Sequence, residues 1–255
     1  MEYKNTDNCF IQKNEKKNKN DDITIYQYMQ LDYLFDLLEN KKYYAKRRYA
    51  FVDDNERTYR LSDDFNKCKI SNTKDEKNTE NSIIEDDEYH ITFKESTEMP
   101  VSCWTKKQKE SFMMWKVYGK EMGVRIKSTV INFIKSINED ISSNSNNKLL
   151  LGSIKYVENF VKDGDQSIFL MKDAGYSDEK EFRFYLDFKN ITDKNKGVDF
   201  IRINIDPEVM IKEIMFSPFI SETAAKVFTE IIKERYKIKK VKQSKLKLKW
   251  KKYYF

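Results

Sequence analysis

The chain has 255 residues, 39% of them hydrophobic and 35% charged, and its 17 Phe, 16 Tyr and 3 Trp supply enough large apolar side chains for one packed domain with polar insertions. Its net charge of +6 is too small to indicate a nucleic-acid partner by itself. The three scattered cysteines (Cys9, Cys68 and Cys103) and the single histidine (His90) exclude a zinc or iron–sulfur ligand set. The sequence lacks a signal-peptide pattern and an apolar run of about 18 residues, which predicts a reduced, cytoplasmic protein with no membrane span.

The N-terminal part of the chain predicts a strand, a helix and a second strand between two polar segments. Residues 1–22 are rich in Lys, Asn and Asp, which predicts a disordered leader. Apolar and polar residues alternate over 23–29, which predicts a strand. Apolar residues spaced at i, i+3, i+4 and i+7 predict a helix over 31–38, and the composition of 41–51 is typical of a second strand. Residues 67–88 lack an apolar repeat, and their composition favours a disordered inserted loop over a functional one.

Strand and helix patterns continue to alternate beyond this insertion. Ser221 is the predicted N-cap of the last helix, and Ile231 and Ile232 are predicted to face the core. The mixture shows no regular βαβ units, so we expect a single α+β domain over 23–248, with a mixed or antiparallel sheet and flanking helices, followed by a basic and aromatic tail, 249–255. The predicted strands are 89–93, 101–105, 124–128, 149–157, 178–188, 198–205 and 211–216, and the predicted helices are 108–120, 129–138, 160–172 and 221–236.

One predicted strand, 178–188, carries a row of charged side chains. Its alternation places two acids, a base and a phenol on one face (Glu179, Glu181, Arg183 and Tyr185) and apolar side chains on the other. Two glutamates spaced in this way lie about 7 Å apart, and each raises the pKa of the other unless a cation such as Arg183 intervenes. The row is either a polar functional cleft or the exposed face of a half-buried strand, with Arg183 as a structural counter-ion.

Common catalytic motifs are absent from the sequence. It contains no GxGxxG, GxxxxGK[ST], HExxH or GxSxG pattern, which excludes the usual dinucleotide, P-loop, zincin and α/β-hydrolase sites. A histidine-dependent nucleophile would have to use His90, and nothing in the sequence places His90 near Cys103.

Several segments, taken in order, resemble an uncharacterised bacterial family, domain of unknown function 2971. They cover most of residues 23–248, and each is weak alone. The chain departs from the family pattern at two places. It has Gln27-Tyr28 where the family has a Lys-Tyr pair, and it has Asp-Asp-Asn-Glu at 53–56 where the family has an Asn-Asp-Pro turn followed by an acid. The segments are IYQYMQLDYLFDLLEN, VSCWT, MWKVYGKEMGVRI, EKEFRF, KEIMFSP and VKQSKL.

A looser resemblance is to ADP-ribosyltransferases, which open with a strand, a helix and a strand and carry Glu-x-Glu at the head of a later strand. Glu179-Lys180-Glu181 has that form and position. The resemblance implies an NAD-using enzyme that acts on a protein or nucleic acid, as a toxin or an antiviral defence effector. Glu181 would bind a ribose hydroxyl of NAD and stabilise the charge that develops as nicotinamide leaves, and Arg183 would pair with a carboxylate or the pyrophosphate.

The same resemblance assigns the NAD-binding residues. Tyr26 or Tyr28 would stack on nicotinamide, Trp115 and Tyr118 would line the pocket, and Gln27 would stand where an Arg or His is usual. Core packing explains the same aromatic residues equally well. The chain also lacks a complete catalytic constellation, so a domain that binds a ligand or nucleic acid without turnover is the alternative.

The C-terminal segment 233–252 is strongly basic, and Glu234 is its single acid. It is either an edge strand that lysines protect from aggregation or a nucleic-acid-binding surface. In the second case lysines neutralise phosphates while an aromatic ring stacks on bases. The predicted nucleic-acid-binding residues are Lys247, Lys249, Trp250, Lys251 and Lys252.

Overall fold

The fold is taken from a computed structural model. It describes residues 9–11, 22–51, 67–70, 89–92, 99–137, 148–158, 170–187 and 198–246. The predicted α+β class is confirmed: the chain is one domain with a mixed, mostly antiparallel sheet and flanking helices. The described strands are β1 (Cys9–Ile11), β2 (Thr24–Gln30), β3 (Lys42–Arg47), β4 (Lys67–Ile70), β5 (Tyr89–Thr92), β6 (Pro100–Thr105), β7 (Gly123–Thr129), β8 (Lys148–Ser153), β9 (Lys155–Val157), β10 (Met171–Asp173), β11 (Glu181–Asp187), β12 (Phe200–Asn204), β13 (Glu213–Phe216) and β14 (Val241–Gln243).

In the part of the chain that the structure describes, two helices have ten residues or more and the others are shorter. The described α-helices are α1 (Leu31–Asn40), α2 (Phe112–Met114), α3 (Val130–Ser136), α4 (Pro207–Met210) and α5 (Glu222–Tyr236). A π-helical segment, Trp115–Gly119, continues α2. Two 3₁₀ turns cover Arg48–Ala50 and Ala174–Glu179.

The domain consists of two compact units that alternate along the chain. The first unit is built from the described parts of 1–21, 44–103 and 139–203. The second unit is built from the described parts of 22–43, 104–138 and 204–255. Three of the five boundaries along the chain fall within β3, β6 and β12, and neither unit is a continuous segment of sequence.

In the first unit the strand order is β1-β8-β11-β6, and β3 pairs with both β6 and β12. β11 is antiparallel to β8, with Phe184 opposite Leu151. A separate parallel pair, β9 and β10, places Lys172 opposite Tyr156. A third, two-stranded sheet joins β4 to β5, so an ordered strand begins at the start of the predicted inserted loop.

In the second unit the strand order is β2-β7-β13-β14, with the end of β6 beside β2. β2 and β7 are antiparallel, and their register sets Tyr28 opposite Arg125 and Tyr26 opposite Lys127.

The predicted apolar stripe of α1 is confirmed, because its leucines are buried. The Ser221 hydroxyl caps α5 by accepting a hydrogen bond from the Ala224 N–H, as predicted. The prediction for Ile231 is wrong, since this side chain is exposed while Ile232 is buried.

Four predicted elements differ from the structure. The strand predicted for 178–188 begins only at Glu181, because Asp173 accepts a hydrogen bond from the Gly175 N–H and starts a 3₁₀ turn that ends at Glu179. The helical connection predicted for 160–172 contributes a strand, β10, to the described residues. The strand predicted for 149–157 is divided into β8 and β9, and the helix predicted for 108–120 is a single α-turn with a π-helical continuation.

Within the described ranges, four lysines adopt a positive φ, which is a glycine-like conformation. Lys41, Lys180 and Lys237 lie in the left-handed helical region and follow α1, the second 3₁₀ turn and α5. Lys120 follows the π-helical segment with φ 54° and ψ −143°. Lysine therefore occupies the positions where a chain richer in glycine ends its helices.

Candidate functional site

The charged row of β11 forms an ion cluster with a residue that the sequence did not indicate. We call Lys172, Glu179, Glu181 and Arg183 the acid–base cluster. Arg183 donates from Nε to Oε1 of Glu181 at 2.6 Å and from Nη2 to Oε2 at 3.0 Å. The Nζ of Lys172 donates to Oε2 of Glu181 at 3.2 Å and to Oε2 of Glu179 at 2.6 Å. One lysine thus holds both glutamates of the Glu-x-Glu motif.

Three members of the acid–base cluster, Lys172, Glu181 and Arg183, are buried, so the electrostatic interactions among them are strong. Glu181 is 5% exposed and Arg183 is 1% exposed. Burial alone raises the pKa of Glu181, but the Arg183 guanidinium and then the Lys172 ammonium outweigh it and hold the pKa at about 2. For Arg183, burial lowers the pKa, and the Glu181 carboxylate raises it well above its ordinary value. Glu181 is therefore a fixed anion at neutral pH.

Neighbouring groups fix the backbone and the carboxylate of Glu181. Its N–H donates to the Tyr156 hydroxyl at 2.7 Å, and its carbonyl accepts from the Ile154 N–H at 2.9 Å. The Cys103 thiol on β6 also hydrogen-bonds the Glu181 carboxylate. Burial raises the pKa of Tyr156 to about 12, so its hydroxyl stays protonated. These contacts therefore fix the position of the Glu181 carboxylate within the acid–base cluster.

The structure corrects two expectations about this strand. Glu179 does not share a strand face with Glu181, because it ends the 3₁₀ turn and Lys180 intervenes with φ 45°. The interpretation of an exposed charged face is also wrong, since Glu181, Arg183 and Tyr185 are all buried. Lys172 was missed because only the pairing of β9 with β10 brings it here, and no local pattern signals that pairing.

A second polar group lies in the second unit, and we call Tyr26, Tyr28 and Arg125 the tyrosine–arginine cluster. The Arg125 guanidinium carbon lies 4.5 Å from the Tyr26 ring centroid and 5.7 Å from that of Tyr28. Its Nη1 donates to the Tyr28 hydroxyl at 3.4 Å and to the Gln108 carbonyl at 3.1 Å. Burial raises the pKa of Tyr26, although Arg125 opposes the rise. These contacts hold a cation against two phenol rings.

The other predicted NAD-binding residues have different environments. The Trp115 ring packs edge-to-face on Tyr28 with centroids 4.7 Å apart, and its Nε1 donates to Glu110 at 3.1 Å. Tyr118 is 41% exposed. Gln27 lies on the opposite face of β2 and donates to the Tyr43 hydroxyl at 2.6 Å. The structure therefore groups Trp115 with the two tyrosines and separates Gln27 from them.

The predicted site residues are thus divided between the units. The first unit holds the predicted catalytic residues Glu179, Glu181 and Arg183. The second holds the predicted NAD-binding residues Tyr26, Gln27, Tyr28, Trp115 and Tyr118. The predicted nucleic-acid-binding residues Lys247, Lys249, Trp250, Lys251 and Lys252 lie outside the described residues.

The described side chains form no group of three or more His, Cys, Asp or Glu residues that could hold a metal ion. No helix within the described ranges is both long enough and apolar enough to span a membrane.

No protein-family model matches the chain, so its resemblance to domain of unknown function 2971 stays a prediction. No curated protein matches it either. Among solved structures, it is similar to Thermus sp. 2.9 DarT in complex with NAD+, with a TM-score of 0.37 and 10% identity over 88% of this chain and 96% of that one. A likeness of this extent carries no argument about fold or activity.

Proposed function

We propose that the chain is an NAD-using ADP-ribosyltransferase-like enzyme in which Glu181 is the catalytic carboxylate. The observation that supports this proposal is the state of Glu181: a buried, ionised carboxylate fixed at the first position of β11. A preorganised anion in a low-dielectric environment stabilises a developing positive charge without further reorganisation. The Glu-x-Glu order of the sequence is consistent with the same role.

The proposed reaction breaks the bond between the ribose C1′ of NAD and the nicotinamide nitrogen. The bonding electron pair leaves with nicotinamide, and an acceptor nucleophile bonds to C1′ and loses a proton. Glu181 accepts a hydrogen bond from a ribose hydroxyl and stabilises the oxocarbenium-like charge. Glu179, held by the same lysine and 19% exposed at its side chain, takes up the proton that the acceptor loses. The acceptor class is a protein or a nucleic acid.

Arg183 has a positioning role in this proposal. Both oxygens of Glu181 accept hydrogen bonds from its guanidinium, and this fork geometry fixes the plane of the carboxylate. Pairing with the carboxylate, one of the two roles that the resemblance implied, is therefore favoured over pairing with the NAD pyrophosphate. Arg183 orients Glu181 and keeps it ionised.

The test is nicotinamide release from labelled NAD with cell lysate or nucleic acid as the acceptor. We expect release by the wild type, and a loss of at least about 100-fold in Glu181→Asp, which keeps the charge but withdraws the carboxylate by one methylene. Glu181→Gln should be inactive under conditions where circular dichroism shows it folded. Glu39→Gln, an exposed ion-pair substitution in the second unit, is the matched control and should retain the wild-type rate. Absence of release by the wild type, or equal release by Glu181→Asp, would contradict the proposal.

A second candidate function is ligand binding without turnover. The observation that favours it is the occupancy of Glu181, whose oxygens accept three hydrogen bonds from Arg183 and Lys172. The Cys103 thiol further lowers the pKa of this carboxyl, so its oxygens are near their capacity of about four hydrogen bonds. Under this hypothesis the cluster is structural, and ligands raise the melting temperature without forming product. Saturable NAD binding with no nicotinamide release would support it, and measurable release would exclude it.

A further inference from the structure

Arg125 is a buried cation without a carboxylate partner in the described part of the chain. Its side chain is 5% exposed, and its hydrogen bonds within the described residues go to two uncharged oxygens, the Tyr28 hydroxyl and the Gln108 carbonyl. It forms no ion pair with any residue that the structure describes. Buried guanidinium groups are ordinarily paired with an anion because burial of an unpaired charge is unfavourable.

Some N–H groups of the Arg125 guanidinium form no hydrogen bond with the described residues and can donate to a ligand. A guanidinium has five N–H donors in a planar fork, and the hydrogen bonds of Arg125 come from Nη1 alone. The Tyr26 ring centroid lies 4.5 Å from the guanidinium carbon, and this cation–π contact restrains the group. Nε and Nη2 form no hydrogen bond with the described residues, and neither is a fully buried orphan atom.

The two tyrosines add hydroxyl donors beside the guanidinium. The Tyr28 oxygen already accepts from Arg125 and from the Ser111 N–H, so its own proton is available for donation. The Tyr26 hydroxyl forms no hydrogen bond within the described chain. Burial raises its pKa, so it remains a donor at neutral pH.

A second cation lies on the same strand face. Lys127 follows Arg125 by two residues on β7, stands opposite Tyr26 in the register with β2, and is half-buried. It forms no ion pair with a described residue. Glu213, opposite Lys127 on β13, pairs with Lys242 at 2.8 Å, and Glu110 is engaged by Trp115 and Ser244. Glu213 is therefore engaged by Lys242, although its charge still raises the pKa of Tyr26, and Glu110 is held by two uncharged donors.

From these observations we infer that Arg125, Lys127, Tyr26 and Tyr28 form a binding site for a phosphate-type oxyanion. The planar guanidinium fork matches the oxygens of a phosphoryl group, and a second cation favours a dianion over a monoanion such as a carboxylate. The phosphoryl group belongs either to free inorganic phosphate or to a nucleotide. The inference concerns the second unit alone and does not depend on the proposed catalysis.

The experiment measures binding of inorganic phosphate to the full chain by calorimetry and by thermal unfolding. Sodium chloride and sodium acetate at equal ionic strength are the reference solutions. We expect saturable phosphate binding and a rise in melting temperature that neither reference salt produces. Stabilisation by chloride or acetate equal to that by phosphate would overturn the inference.

Two substitutions test the assigned residues. Arg125→Lys keeps the charge but loses the fork, and Lys127→Gln removes an unpaired cation at a half-buried position, so each should weaken phosphate binding by roughly tenfold or more. Lys226→Gln, at an exposed position on α5, is the matched control and should bind as the wild type does. Wild-type affinity in both site variants would overturn the assignment, whether or not the chain releases nicotinamide.

ADP identifies the source of the phosphoryl group. If the site serves a nucleotide, ADP binds more tightly than inorganic phosphate and Lys127→Gln weakens both. If the site serves free phosphate, ADP binds no more tightly than inorganic phosphate does. ADP binding that is unchanged in Arg125→Lys and Lys127→Gln would place the nucleotide elsewhere and count against this site.

Discussion

Replacement of Glu181 by glutamine is expected to destabilise the protein strongly at neutral pH. The pKa of this carboxyl is lowered from 4.5 to about 2, and one pKa unit corresponds to about 1.4 kcal/mol. The ionised carboxylate therefore contributes on the order of 3 kcal/mol to the free energy of unfolding. Loss of the anion removes the carboxylate that Arg183 pairs with, whereas Lys172 keeps its ion pair with Glu179. Mutational studies of buried pairs give a similar cost, about 3–5 kcal/mol, when one partner is removed. That loss is a large share of a typical stability of about 5–15 kcal/mol.

The pH dependence of stability provides the sharper part of this prediction. Because the folded-state pKa of Glu181 lies below the unfolded value, its contribution is fully present above pH 4.5 and is lost as the pH falls toward 2. Urea unfolding of the wild type between pH 7 and pH 2.5 should show this loss, and Glu181→Gln should show a smaller one. Glu39→Gln, which removes an exposed ion pair with Arg235, should cost under about 1 kcal/mol. A cost below about 1 kcal/mol for Glu181→Gln at pH 7, or the same acid dependence in both proteins, would refute the reasoning.

Three further predictions concern other parts of the chain. Lys172→Met removes a cation that lowers the pKa of Glu181, so this pKa should rise in an NMR titration and acid unfolding should begin at a higher pH, whereas Lys172→Arg should restore most of the wild-type behaviour. Gly123→Ala should destabilise by about 1–3 kcal/mol or more in urea unfolding, because the added Cβ would lie 2.5 Å from the Gly119 Cα; wild-type stability would contradict this packing. If the basic tail binds single-stranded nucleic acid, the log–log salt slope of binding should be about −0.7 per phosphate contact and should flatten when four lysines become glutamine, whereas a flat wild-type slope favours the edge-strand interpretation. Those four lysines are Lys247, Lys249, Lys251 and Lys252.

Local patterns in the sequence predicted much of the fold. The leucines of α1 recur at helical spacing, and the structure buries them. Ser221 precedes an apolar-periodic segment and caps α5. The apolar side chains of β11 alternate with polar ones, and Phe182 and Phe184 are fully buried as expected. These predictions succeeded because each depends on neighbours within a few residues.

The candidate site was less predictable because it depends on contacts between distant strands. Lys172 reaches Glu179 and Glu181 only through the parallel pairing of β9 and β10. Lys180 ends a 3₁₀ turn in a conformation that lysine rarely adopts, so the sequence favoured a continuous strand through Glu179. Arg125 had no marked pattern of its own, and only its register with Tyr28 reveals the tyrosine–arginine cluster.

The lysines with positive φ have a consequence for engineering this protein. Lys120 has φ 54° and ψ −143°, a region that is essentially restricted to glycine and costs other residues about 1–3 kcal/mol. Glycine at this position would relieve that conformational energy, although it would also increase the entropy of the unfolded chain. The strain at such a position exceeds this entropic loss, so Lys120→Gly should raise the melting temperature. The substitution changes no residue of the acid–base cluster or of the tyrosine–arginine cluster, so thermal tolerance can be adjusted independently of both.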